Sequence, residues 1–148
     1  MNDNHAYSLS GPEAGSGAAA RPGQRPVVLV IDGDFRRRGD MSKMIAGHGY
    51  TVLTAKTGEE ALALVARGGV VLVVSSLVMP RMDGLELLRV MRERQPFVPV
   101  VVIASGDKAI DQVYLRGADV LGAARTFTWP LLAPAFLDSI DLLIEQAS

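Results

Sequence analysis

A three-layer α/β domain, with a five-stranded parallel sheet between two layers of helices, is what the sequence predicts, and three observations carry that prediction. Short runs of Val, Ile and Leu recur from Val27 onward, among them VVLVI at 27–31 and VVLVV at 70–74. Runs apolar at every position belong to strands covered on both faces. Amphipathic stretches of helical length separate them, so the chain repeats a strand–helix unit five times. Each connection then crosses over right-handed to lay the next strand parallel to the last.

Taken in order, strands are expected at Val27–Ile31, Thr51–Ala55, 70–75, 98–104 and Arg125–Thr128, each followed by a helix. The second helix opens on Thr57 with Glu60 three residues on, and the third on Asp83 with Glu86. Both read as capping boxes that satisfy orphan amide donors before the apolar residues begin. The fourth helix, over residues 107–121, carries Gly117 in its interior, where glycine is unfavourable; Gly122 is expected to end it. The last helix presents Phe136, Leu137, Ile140, Leu143 and Ile144 on one face, with Pro134 in the first turn, where a missing N–H is tolerated.

Composition excludes several classes of function. The 148 residues are 49% apolar, ample for one domain, here 27–148, plus a tail. Residues 1–26 are rich in Gly, Ala, Ser and Pro and lack the apolar stretch of a secretory signal, so they read as a disordered N-terminal tail. Fifteen Lys and Arg against sixteen Asp and Glu leave a formal charge of −1, which advertises neither nucleic acid nor an anionic membrane. No apolar run reaches the length of a membrane span. The absence of cysteine excludes disulfides and thiolate metal sites and is compatible with a cytoplasmic setting.

In open parallel sheets, chemistry collects at the carboxyl ends of the strands. Those ends carry Asp32-Gly33-Asp34, Ser75-Ser76, Ala104-Ser105-Gly106 and Thr128-Trp129-Pro130. Two adjacent serines after the third strand are the unexpected feature, because they precede a Met-Pro turn where a reactive group ordinarily stands.

The segment SLVMPRMDGLELL, with VVLVIDGD, GYTVLTAKTGEEAL and LGAARTFTWPL, resembles the receiver (CheY-like) domain of bacterial two-component response regulators over nearly all of residues 27–147. The resemblance implies a flavodoxin-like (βα)5 fold with strand order 2-1-3-4-5. It also implies a site: an acidic pair after the first strand and an aspartate after the third bind Mg²⁺, the latter aspartate accepts a phosphoryl group from phosphohistidine, and a Ser or Thr after the fourth strand and a Lys before a Pro respond to it.

On this chain Ser76 stands at the phosphoacceptor position. Asp32 matches the first acidic position, Gly33 occupies the second, and Asp34 is displaced by one residue. Trp129, before Pro130, stands at the lysine position. The switch position is Ala104 counted from Pro99, or Ser105 judged by its Ser-Gly pair. Magnesium needs near-octahedral oxygen coordination with one or two carboxylates, so Asp32 is only a weak metal ligand here and Mg²⁺ binding is expected to be weak or absent. A serine would need a base and would give a stable ester in place of a reactive acyl phosphate. Without the lysine, no fixed cation meets the incoming phosphoryl charge.

The same residues admit other readings. Ser76 as a hydrolytic nucleophile requires a histidine, and the two available are His5 in the tail and His48, expected toward the opposite edge of the sheet; a hydroxyl satisfied by a neighbouring backbone group or by Asp32 is the simpler expectation. IDGDF lacks the glycine-rich run of a phosphate cradle. Arg36-Arg37-Arg38 reads equally as a solvated basic face or as a docking surface. Trp129 either fills a pocket emptied of charge or lies at the surface as an interface residue, and a cis Trp129–Pro130 bond is expected.

The expectation is therefore a degenerate, stand-alone receiver-like module, cytoplasmic and not an enzyme, that acts by protein–protein interaction without aspartyl phosphorylation or cofactor. The family resemblance implies partners such as a histidine kinase, a phosphotransfer protein or another regulator, met through the first helix or the face of the fourth helix, fifth strand and last helix, and it admits a homodimer through that face. The alternative is a working phosphorelay regulator with Asp32 or Asp34 as a non-standard acceptor.

Overall fold

Val, Ile and Leu at successive positions can be buried only if both faces of a strand are covered, and the computed structural model covers them so. It describes residues 24–147; the expected tail lies outside the described residues except for its last three. The elements run β1 (Val27–Ile31), α1 (Phe35–Gly47), β2 (Thr51–Ala55), α2 (Gly58–Ala66), β3 (Val70–Ser76), α3 (Gly84–Arg94), β4 (Val100–Ala104), α4 (Lys108–Val120), β5 (Arg125–Thr128) and α5 (Ala133–Ala147). The sheet is parallel, in the order β2-β1-β3-β4-β5.

Alternation along β1 divides the core in two. Leu29 and Ile31 join Leu53, Val73, Val100 and Val102 beneath α2, α3 and α4, which supply Ala61, Val65, Leu87, Met91 and Ala118. Val28 and Val30 turn the other way with Leu72, Val74, Val101 and Ile103, where α1 and α5 supply Met41, Ile45, Phe136, Ile140 and Ile144. Three layers follow from this two-residue period. The Phe136 ring meets Phe127 edge to face at 5.3 Å between centroids, the arrangement that aromatic quadrupoles favour.

Three element boundaries differ from the sequence reading, each for a local reason. β4 starts at Val100 because Pro99 has no N–H to give the ladder, while the Val98 amide turns back to the Gln95 carbonyl at 3.1 Å. β3 runs one residue further, since Ser76 pairs with Ile103 of β4. α4 spans residues 108–120 and Gly117 does not interrupt it: a Cβ there would stand 3.2 Å from Leu85 Cδ1, so the glycine lets α4 approach α3. Gly122, at φ +95°, turns the chain out of the helix.

Neither capping box is complete. Thr57 accepts from the Glu60 amide at 3.2 Å, but the Glu60 carboxylate reaches past the cap to the Lys56 amide at 2.7 Å. Asp83 accepts from the Glu86 amide at 2.9 Å, while the Glu86 carboxylate is drawn to Arg89 at 2.8 Å. For Glu86 a charged partner one turn along outcompetes the cap amide; for Glu60 another backbone amide takes its place.

Candidate functional site

The site lies where β1, β3, β4 and β5 end. Register places it: a shift between Val27 and Val28 in the β1–β3 ladder leaves Val71 unmatched, Ile31 pairs with Ser75, and Ser76 therefore projects one residue beyond the paired part of β1, beside the turn that begins at Asp32.

Asp32 is fully buried, and its amide donates to the Ala55 carbonyl at 3.2 Å. Its carboxylate accepts from the Asp34 amide at 2.8 Å and is clamped from both sides by Arg37, with Nε donating to Oδ2 at 3.0 Å and Nη2 to Oδ1 at 3.2 Å. Arg38 Nη1 donates to the Asp32 carbonyl at 2.7 Å. The Arg36-Arg37-Arg38 run is thus not a uniformly solvated face: Arg37 and Arg38 fold back over the first turn of α1 because a buried carboxylate needs a cation and a free carbonyl needs a donor. Of the three, Arg36 is exposed and the other two are half-buried. The bond to Asp32 raises the affinity of Arg37 for its proton.

Asp34 does not enter the pocket. It caps α1, accepting from the Arg37 amide at 2.9 Å, and that bond, opposed by partial desolvation and aided by the Arg37 charge, holds its carboxyl below the usual range. Gly33 brings no side chain to the turn, which is tight against Pro80. A Cβ there would sit 3.3 Å from Pro80 Cδ, and the backbone is outside the left-handed region.

Ser76 is almost fully buried, and its hydroxyl donates to the Val78 carbonyl at 3.2 Å; the Ser75 hydroxyl donates to the Ser76 carbonyl at 2.9 Å. Of the two partners expected for the Ser76 hydroxyl, a neighbouring backbone group and Asp32, the structure shows the backbone group. α3 begins hard against this strand end: the Gly84 amide donates to the Leu77 carbonyl at 2.8 Å, and a Cβ on Gly84 would meet the Ser76 carbonyl oxygen at 2.5 Å.

Ala104 closes β4 with no exposure, and its carbonyl accepts from the Trp129 amide at 3.1 Å. Ser105 stands one residue beyond, and its hydroxyl donates to Asp111 Oδ1 at 3.1 Å, while the Gly106 amide donates to Oδ2 at 2.8 Å. The nearly buried Asp111 therefore ties the β4–α4 loop to its own helix. Trp129 precedes a cis Trp129–Pro130 bond, as expected. It is half-buried and packs on the core cluster shared by α1 and α5, so it is neither a free surface residue nor a fully buried one.

His48 is far from this. It ends α1 next to the amino end of β2, where its Nε2 lies 2.9 Å from Asp141 Oδ2, and the Tyr50 hydroxyl donates to Asp141 Oδ1. In a parallel sheet this is the end opposite Ser76, so among the described residues no histidine stands where it could activate that serine.

Residues 28–125 match the family model of the response regulator receiver domain. The chain belongs to that family. This receiver domain is 37% identical over 127 residues to the DNA-binding transcriptional regulator NtrC of Salmonella typhimurium, covering 84% of this chain and 25% of that protein. It is 35% identical over 121 residues to the response regulator MprA of a Mycobacterium species, covering 82% and 51%. The chain thus spans between a quarter and about half the length of these relatives. Among solved structures, the signal receiver domain of an HD domain-containing protein from Pseudomonas fluorescens superimposes with a TM-score of 0.78 at 25% identity, over 87% of this chain and 93% of that one. A CheY-like receiver domain protein from Methanospirillum hungatei shares the fold with a TM-score of 0.74 at 20% identity, over 84% and 97%.

Receiver domains imply a Mg²⁺ site, and the donors present do not fit one. The one carboxylate aligned for it, Asp32, is already held by a guanidinium, Gly33 brings no side-chain oxygen, and the Ser76 hydroxyl acts as a donor. Among the described residues no three His, Cys, Asp or Glu side chains stand together as metal ligands. Magnesium dehydrates reluctantly and demands strict geometry.

Two contributors escaped the sequence reading. Arg37 carried the signal of an arginine five residues after an acidic turn, but a side chain that long reaches several places, and only the fold selects one. Asp111 gave no signal beyond lying six residues after Ser105.

Proposed function

We propose that this receiver domain serves two-component or phosphorelay signalling through protein–protein interaction, without aspartyl phosphorylation. The observation that carries the proposal is the bidentate Arg37–Asp32 pair beside Ser76: where the family places carboxylates awaiting a metal and a phosphoryl group, this chain has a neutralised carboxylate and an alcohol. Ala104 occupies the switch position, since Ser105 is committed to Asp111, and Trp129 brings no cation. Together these leave no nucleophile, no metal ligand set and no responding pair.

The same geometry weighs against Asp32 or Asp34 as a substitute acceptor. An Asp32 oxygen that attacked phosphorus would have to leave Arg37, and an Asp34 oxygen would have to leave the α1 cap. Partners would be a histidine kinase, a phosphotransfer protein or another regulator, met through α1 or the α4–β5–α5 face, where Val113, Tyr114 and Leu142 are exposed. A self-pairing through that face is a further arrangement of the same surface.

The test is incubation with acetyl phosphate and Mg²⁺ followed by intact mass, on the unmutated protein and on Asp32→Asn and Asp34→Asn. No added phosphate is expected on any of them. A labile phosphate that one substitution abolishes would establish a working acceptor instead.

A further inference from the structure

The edge of the sheet beside β2 carries a cleft of about 440 Å³, bordered by α2 and by Arg38 of α1. That volume falls in the range of small-molecule sites. Arg38, Lys56 and Arg67 bring three positive charges to its wall, against the single carboxylate of Glu60. Glu60 is itself engaged, accepting the Lys56 amide. Ala55 and Leu64 supply an apolar part of the lining and Thr54 a hydroxyl. Three cationic side chains on the wall of a partly apolar cleft favour an anion over water.

Arg38 is not free to swing away. Its Nη1 holds the Asp32 carbonyl at 2.7 Å and its guanidinium carbon lies 5.7 Å from the centre of the Phe35 ring. The remaining N–H groups of the fork stay in a fixed place, which lowers the entropy of binding. Arg38 joins the cleft to the site through the Asp32 carbonyl, and the Asp32 amide makes a second link by bonding Ala55, another residue of the cleft wall.

We propose that this cleft binds a small polyanion, a phosphorylated or polycarboxylate metabolite, and that its binding is the input to the domain in place of phosphorylation. The inference deepens the reading above and rests on it. An anion drawing on Arg38 weakens the bond to the Asp32 carbonyl, and the turn carrying Asp32, Gly33 and the cap Asp34 shifts with it. The signal thereby reaches α1 from the side of the sheet.

Amide NMR of the full chain, titrated without Mg²⁺ against pyrophosphate and separately against citrate at constant ionic strength, tests this. Saturable shifts at Thr54, Lys56 and Arg67 that extend to Asp32 and Gly33 are expected with at least one of the two, and which one saturates first separates phosphate from carboxylate chemistry. The double variant Lys56→Ala with Arg67→Ala, both side chains at the surface, should keep the spectrum of the fold and weaken binding by at least about tenfold. Absence of saturation, equal binding by the double variant, or saturation only by an acidic peptide such as oligo-glutamate would overturn the proposal. Failure here leaves the phosphorylation-independent reading standing, whereas a labile aspartyl phosphate overturns that reading and leaves the titration unaffected.

Discussion

Arg37→Ala should unfold the protein more readily than its partial exposure suggests. The guanidinium makes two charge-assisted bonds, at 3.0 and 3.2 Å, to a carboxylate with no exposure, while its own side chain is 34% exposed. Removing one partner of a fully buried pair costs about 3–5 kcal/mol, and an exposed pair contributes about 0–1 kcal/mol. A carboxylate sealed at one end and a cation open at the other falls between, at about 2–3 kcal/mol. Asp32→Asn should cost less, about 1 kcal/mol, since Arg37 can turn to water and an amide oxygen still accepts from the Asp34 amide. The double variant then falls short of the sum by about 1–2 kcal/mol. Urea unfolding followed by the fluorescence of Trp129, the chain's single tryptophan, measures all three. Additive effects with Arg37→Ala within about 0.5 kcal/mol of the parent would refute the idea that Arg37 is the resident cation of this pocket.

Other consequences follow from the same geometry. Installing Ser76→Asp, Gly33→Asp and Trp129→Lys should give little Mg²⁺-dependent phosphorylation until Arg37→Ala is added, because the guanidinium competes for Asp32; intact mass after acetyl phosphate reads this, and full labelling of the triple variant contradicts it. Without Mg²⁺ the set carrying Arg37→Ala should be less stable than the parent, because clustered carboxylates repel. Gly84→Ala should cost about 2–3 kcal/mol, since its Cβ meets the Ser76 backbone, and Gly58→Ala, whose Cβ meets only the Met82 side chain, should cost less in the same assay because a side chain can turn where backbone cannot.

The clasp of His48, Tyr50 and Asp141, with Glu145 also acting on Tyr50, sets a pH window. Burial raises the Asp141 carboxyl, but hydrogen bonds from Tyr50 and His48 outweigh it and hold it below its ordinary 3.8. Burial, then the bond to Asp141, pushes the Tyr50 hydroxyl well above its ordinary 10.0. A depressed carboxyl stabilises the fold above its unfolded value and ceases to as pH falls below it; a raised tyrosine stabilises below its unfolded value and ceases to as pH rises past it. The contact therefore stabilises the fold between about pH 4 and 10. Asp141→Asn should flatten the acid limb of thermal stability, and an unchanged limb would count against the clasp.

Much of the fold was readable because burial on both faces writes itself into Val70–Val74 and Val100–Ala104 as unbroken apolar runs. The shift at Val71 was not, since a bulge is set by the neighbouring strand and leaves no local signature. In the site, the family resemblance pointed to Ser76, Gly33 and Trp129 through their places along the backbone. It did not locate the partners of Arg37 and Asp111, whose roles depend on where a side chain lands after folding. The cis bond before Pro130 was legible from the family's turn; the two half-formed capping boxes were not, because Arg89 and Lys56 compete for the glutamates only in three dimensions.

The most direct test of phosphorylation-independent action is an amide NMR titration with Mg²⁺ and then beryllofluoride, a mimic of the bound phosphoryl group. No saturable shift at Ser76, Ala104 or Trp129 is the predicted result. Saturable shifts running from Ser76 through Trp129 into α5 would mean that the site still assembles around metal and phosphoryl group, and would contradict the account.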